Sequence, residues 1–333
     1  MSRAFLLFSL AVVIQANAFE VPSDHSSFAE RITTDIINCE FEKTIKATDS
    51  AVTSDPQNSL AAVLHLVALG MRDVDYDSTI DAAAFQKSFE RATKSVEKYE
   101  KAHGATSYSR TLKGFVLAIH ASFYLKKDEY FAAYGTGMDA IDIMNKAREL
   151  DSTNTEVNLF LGLYEYAKGD LKRKLWWVLF WYPGDKERGI KQLEQCARSA
   201  QMTATAAQLA LSDIYLKQKK PERSKKIIST LKKKFPRSRF LLWSEAKYLE
   251  EQKQYQKAAK VYGKLADSYA KEPKGSFNSL ITRNKQAHLL NKAGQKQLAI
   301  NVCKNILEQR GNKRTRDVMK DTKKLLERLN DNS

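Results

Sequence analysis

Asp73, Asp75 and Asp77 alternate with single residues, and Asp81 follows four positions later. That is the opening rhythm of a calcium loop, whose carboxylates at positions 1, 3 and 5 begin the ligand set. The sixth position holds Ser78 where such a loop needs glycine, and the twelfth holds Ala84 where a bidentate glutamate sets affinity. The carboxylates are therefore read as a solvated loop, with Asp81 near a helix start that favours negative charge. No metal site is assigned. The five histidines, at 25, 65, 103, 120 and 288, never fall into an HExxH or HxxxH spacing. No GxGxxG, GxxxxGK[ST] or GxSxG sequence occurs, so the usual phosphate cradles and nucleophile elbow are missing. No nucleophile–base or carboxylate pair stands at helical spacing. The chain is read as non-catalytic, with no catalytic residue and no cofactor.

Residues 171–184, LKRKLWWVLFWYPG, hold three of the four tryptophans and are the most unusual stretch. On a helix Leu171, Leu175, Val178, Leu179 and Tyr182 share one face, leaving Trp176, Trp177, Phe180 and Trp181 on others. A helix apolar all round must be covered on most sides. The expectation is that the segment folds back and plugs a groove of the protein. Two alternatives stand beside it. One is an anchor for a partner protein, because Trp and Tyr dominate interface hot spots. The other is insertion at a membrane interface, led by Lys172, Arg173 and Lys174.

Charge divides the chain. Residues 19–170 carry 16 basic and 24 acidic side chains, whereas residues 171–333 carry 38 and 15. Within 217–239, eleven basic residues face only Glu222. Like charges repel and weaken the folded state, so so steep a gradient implies a polyanionic partner for the second half. The candidate contacts are Lys217, Lys219, Lys220, Lys225, Lys226, Lys232, Lys233, Lys234 and Arg237. Nucleic acid fits the charge; the N-terminus argues against it. Arg3, the apolar run 4–14 and Ala16-Asn17-Ala18 are the three regions of a secretory signal peptide, residues 1–18. The run is too short to span a membrane. Export to a bacterial periplasm, or secretion, is expected, and no N-x-[ST] sequon occurs. Anionic glycolipid, cell-wall polymer, membrane surface or acidic protein then suit the basic half better. Cys39, Cys196 and Cys303, each in a helical pattern, are expected to be free buried thiols.

The elements that must position these residues come from an internal offset. Adding 34 to Ser212, Ser224, Ile228 and Leu231 gives Ala246, Ala258, Tyr262 and Leu265, small onto small and large apolar onto large. A further step of 41 gives Ala287, Ala299, Cys303 and Ile306, so seven residues are inserted around 270–276. Ala140, Met144, Ala147 and Leu150 supply an earlier second helix. Leu161-Gly162, Gly169-Asp170, Pro236 and Asp55-Pro56 stand at first-helix, turn and helix-end spacings. This pattern resembles the tetratricopeptide repeat family over roughly residues 28–310, clearest from 136 onward. The run from Gly184 to Ile190 after an apolar insertion resembles a divergent, often exported subgroup of it.

The resemblance implies an all-α, right-handed solenoid of about seven helix pairs. They are expected at 28–38/41–53, 58–71/81–101, 105–126/128–149, 155–168/186–199, 203–218/221–234, 237–253/255–271 and 276–293/295–309, with a capping helix at 313–329. By region, 19–135 holds divergent acidic repeats, 136–310 the clearer repeats with the insertion 171–184, and 311–333 a basic cap and tail. The expected function is an exported scaffold that binds a protein, peptide or envelope component along a repeat groove. The alternatives are a peripheral binder of anionic membrane, glycolipid or cell-wall polymer, and an accessory subunit of an envelope enzyme.

Overall fold

The computed structural model describes residues 23–76, 81–174, 184–273, 275–309 and 311–331. Residues 1–18, expected from sequence to be a signal peptide, lie outside them, as do Asp77 and Ser78. All regular structure among the described residues is helical. The helices are α1 (Ser23–Ile37), α2 (Phe41–Ser54), α3 (Ser59–Tyr76), α4 (Ala82–His103), α5 (Ser107–Lys126), α6 (Tyr130–Leu150), α7 (Asn158–Lys174) and α8 (Lys186–Ser199). They continue as α9 (Ala204–Lys217), α10 (Pro221–Lys234), α11 (Arg239–Glu251), α12 (Tyr255–Ala270), α13 (Ser276–Lys292), α14 (Lys296–Leu307) and α15 (Arg316–Asp331). Seven antiparallel pairs and a cap result.

The repeat register has a packing cause. Ser212, Ser224, Ala246, Ala258, Ala287 and Ala299 are fully buried, and the large residues of the pattern are buried beside them. Small side chains at these sites let helix axes approach, and the large ones fill the layer between. Leu150 departs from the pattern. It is 45% exposed, because α6 ends there and its last turn faces outward.

The turns inside the pairs keep the same register. Lys219, Lys253 and Gly294 all take positive φ, 58°, 54° and 75°, at offsets of 34 and 41. Each lets the next N–H reach back to a carbonyl of the preceding helix: Lys220 to Tyr215, Gln254 to Leu249 and Gln295 to Leu290, at 2.8–2.9 Å. This is the Schellman end of a helix, which favours glycine. Cys39 takes the same conformation, φ 62°, between α1 and α2. It therefore sits in a turn and not in a helix, though it is buried and free like Cys196 and Cys303.

First helices touch the first helices of neighbouring pairs: α1 with α3, α3 with α5, α7 with α9 and α9 with α11. Second helices make no comparable contact with one another, so the stack curves with the first helices inside. The seam between the third and fourth pairs is thin. There α6 barely meets α7, and the contact runs through Phe115 of α5 and Phe160 of α7, ring centroids 5.6 Å apart. The N-terminal helices also reach across to the later repeats, where Ile37 joins Leu231, Phe235 and Leu241 in one apolar cluster.

Candidate functional site

Helix α3 carries apolar side chains almost all round and is buried on most of its surface. Its last turn contributes Asp73, Asp75 and Tyr76, all 5% exposed or less. Asp73 and Asp75 are thus buried helix residues and not part of a solvated loop, while Asp77 lies outside the described residues. Asp81 does sit at a helix start: it caps α4, accepting from Ala84 N at 3.0 Å. No group of metal-binding side chains forms among the described residues.

Asp75 meets Arg239, the first residue of α11. Nε of Arg239 donates to Asp75 Oδ2 at 2.7 Å and Nη2 lies at ion-pair distance, 2.7 Å, from the same oxygen, with Asp75 5% and Arg239 3% exposed. Tyr269 of α12 donates its hydroxyl to Asp75 Oδ1 at 3.0 Å, and Asn278 of α13 donates to the Asp75 carbonyl at 2.7 Å. Arg239 Nη1 donates to Glu272 at 3.0 Å, and Tyr76 donates its hydroxyl to the same carboxylate at 3.0 Å. Trp243 Nε1 donates to Tyr269 Oη at 2.9 Å. Every polar end of the Asp75–Arg239 pair is thereby engaged, as a buried charge requires. Burial pushes the Asp75 carboxyl above its usual range, with the guanidinium pulling the other way. Burial also raises the Tyr269 and Tyr76 phenols, and it lifts the Cys39 thiol to about 12. A thiol so shifted is a poor nucleophile. The cluster ties four helices together and leaves no base or nucleophile free.

Beside this lock a cleft of about 400 Å³ opens between the end of α3 and the inner faces of α9 and α11. Val74, Leu209, Ala210, Phe240 and Trp243 line it, with Asp213 at its edge paired to Lys247 at 2.8 Å. On the other side of Arg239 lies a cleft of about 590 Å³ with charges of both signs, among them Glu40, Lys43, Arg237 and Lys264.

The residues singled out from sequence fall elsewhere. Lys172, Arg173 and Lys174 close α7; Trp176, Trp177 and Trp181 lie outside the described residues. The basic set gathers on and around α10: Lys217 ends α9, Lys219 and Lys220 form the turn, Lys225, Lys226, Lys232, Lys233 and Lys234 follow on α10, and Arg237 precedes α11. All are exposed except Lys232, which is partly covered and bonds Glu245 at 2.6 Å. Arg237 pairs with Glu40 from the α1–α2 turn. Lys219 and Lys225 approach Glu251 and Glu222 at 3.9 and 3.8 Å. Part of the basic excess is therefore answered within the molecule.

Sequence reasoning missed Asp75, Arg239, Trp243 and Tyr269 as one cluster. The acidic first half and basic second half were the signal that could have suggested a pairing between them.

Residues 178–274 match the model of the family described as Iml2/Tetratricopeptide repeat protein 39. No curated protein matches the chain in sequence. Among solved structures, a chain of the APC/C hetero-tetramer Cut9–Hcn1 superposes with a TM-score of 0.54 at 12% identity, covering 81% of this chain and 43% of that one. This chain thus spans less than half the length of that relative, and the likeness is one of fold. The C-terminal part of a TPR repeat-containing protein from Cytophaga hutchinsonii gives 0.43 at 17% identity, over 88% of this chain and 98% of that one. Yeast Tom70 gives 0.39 at 10%, over 93% and 90%.

Proposed function

Because the chain is a solenoid of tetratricopeptide-type repeats, we propose that it is an exported, non-catalytic scaffold that holds a protein or peptide against the inner faces of α9 and α11. Helical-repeat folds of this kind typically serve as interaction scaffolds, and the relative of known structure is itself part of a hetero-tetramer. One observation carries the placement: the cleft beside Trp243 presents Leu209, Ala210 and Phe240 on a concave surface next to a rigid, buried ion-pair lock. Preformed apolar clefts with a few fixed polar groups are where ligands gain affinity.

A second reading rests on the basic face. Lys226 and Lys260 occupy the same position of successive repeats and are both exposed, as are Arg223 and Lys257. Such a face suits an anionic glycolipid, cell-wall polymer or membrane surface.

The test is capture from the source envelope by the immobilised chain starting at Phe19, washed at low and high salt. The scaffold reading expects a protein retained at high salt and lost from the Leu209→Arg, Ala210→Arg variant. Material released by salt and lost from Lys226→Glu, Lys260→Glu supports the basic face, since exposed charge pairs are screened. Capture indifferent to both variants overturns both readings.

A further inference from the structure

Helix α4 carries a row of positive charge inside the acidic first half. Lys87, Arg91, Lys94, Lys98 and Lys101 recur at steps of four and three residues, so they lie in one stripe about 80° wide. Like charges at these spacings repel and weaken a helix. Of the five, only Arg91 is ion-paired among the described residues, its Nη1 donating to Asp49 of α2 at 2.9 Å. The four lysines are exposed and meet no carboxylate there. Glu90 and Glu97 stand beside the row and not within it. A helix face kept only for solvent mixes the two signs.

Along this row lies an open cleft of about 370 Å³, bounded by Pro56 of the α2–α3 turn and lined by Lys87, Glu90, Arg91, Lys94, Ser95 and Lys98. Two donors in it lack acceptors. Ser95 is 8% exposed and its hydroxyl bonds nothing; Arg91 Nε is covered and bonds nothing either. Buried polar groups in native proteins are nearly always satisfied. Two orphaned donors beneath a row of unpaired cations therefore point to an acceptor that arrives from outside. The hydroxyl is uncharged, so this sign is independent of the lysines.

We propose that the α4 cleft binds an oligophosphate, a short linear chain of linked phosphate groups. From Lys87 to Lys98 the row is about 16 Å long, and its cations step by about 4.5 or 6 Å. A single phosphate would leave most of it unanswered. An extended acidic peptide sets carboxylates on one side about 6.6 Å apart, too sparse to keep pace with the row. A phosphate chain carries charge on every unit and so matches it. A flat anionic membrane would press on Glu90, Glu97 and Asp49 as well. The row also holds no exposed apolar side chain of the kind the core of a protein interface needs. The lysines supply point charges, while Arg91 Nε and Ser95 Oγ supply directed hydrogen bonds to phosphate oxygens.

Isothermal titration of the full chain with sodium tripolyphosphate, at low and at physiological salt, tests this. One saturable site is expected, weakening as salt rises. Lys94→Glu with Lys98→Glu is expected to raise its Kd roughly thirtyfold or more. Lys146→Glu with Lys304→Glu makes the same change of net charge on exposed residues of α6 and α14, and is expected to leave Kd within about threefold. Ser95→Ala is the sharpest variant. It removes an unsatisfied hydroxyl from a helix, so the melting temperature stays level or rises while affinity falls several-fold. Tripolyphosphate that fails to bind at low salt overturns the proposal. So does binding that survives the α4 pair, since it then belongs to the basic second half, or that falls equally in the control pair, since net charge alone then accounts for it. Poly-glutamate of equal charge and vesicles containing phosphatidylglycerol are the competing ligands. Either one binding the α4 row more tightly than tripolyphosphate also overturns it.

Discussion

His65 sits in the middle of α3, 7% exposed, with Nδ1 3.0 Å from Thr48 Oγ1. The Thr48 hydroxyl donates to the Thr44 carbonyl at 2.9 Å, which leaves its oxygen free to accept from the Nδ1–H of His65. Burial first, and Arg91 after it, lower its pKa from 6.5 to about 4. A base with a depressed folded pKa gives stability that is complete above the unfolded value and lost as pH falls toward the folded one. The window is therefore pH 6.5 down to 4, and the loss is about 3 kcal/mol across it. His65→Gln should flatten the fall of the melting temperature in that window; parallel curves for wild type and variant would exclude His65 as the group. Residues of this kind show why the site was harder to read than the fold. The pattern Asp73-x-Asp75 is local and looked like a loop. What defines Asp75 is Arg239, 164 residues away, and Tyr269, 194 away. No spacing in the chain encodes such a meeting.

Elements were legible because each repeat solves the same packing problem with the same residue sizes. The 34-residue offset placed α9–α12 within a few residues, and the 41-residue step found the insertion before α13. There Gly275 is required, since a Cβ on it would overlap the Tyr269 carbonyl. The repeat frame also placed α6 through Ala140, Met144 and Ala147, all buried, but it did not show that Leu150 and the aromatic residues at the helix start are exposed. The crossing of α7 and α8 tests the repeat logic most directly. A Cβ on Gly189 would lie 2.6 Å from both the Gly162 carbonyl oxygen and Tyr166 N, and one on Gly162 would lie 2.9 Å from the Gly189 carbonyl oxygen. Both clashes are with backbone, which cannot rotate aside as a flexible side chain can. Gly189→Ala should cost roughly 1–3 kcal/mol, as overpacking does, and Gly162→Leu at least as much. Urea melts check this, and an unchanged midpoint for Gly189→Ala would mean the two helices do not cross so closely.

At the scale of the whole molecule, a solenoid is expected to behave as a line of units in which each repeat feels only its neighbours. This chain breaks that rule. The end of α3 is fastened to α11, α12 and α13 through Asp75, and Glu40 reaches Arg237. The steep charge gradient is thus partly a device for pairing the acidic first half with the basic second half. Local openings of distant repeats should then be coupled, because stability shared through a buried ion pair is lost on both sides when one partner goes. Asp75→Ala leaves Arg239 buried without its main partner, a change that typically costs about 3–5 kcal/mol. Hydrogen exchange should rise around α3, as any local damage would cause. It should also rise at the start of α13 near Asn278, about two hundred residues along the chain, and at the end of α12 near Tyr269. The helices between them in sequence, such as α5 and α6, should change little, because the coupling passes through the lock and not along the stack. Exchange that increases only in α2–α4 would show that the halves are merely adjacent, with the repeats opening one after another as an ordinary solenoid does.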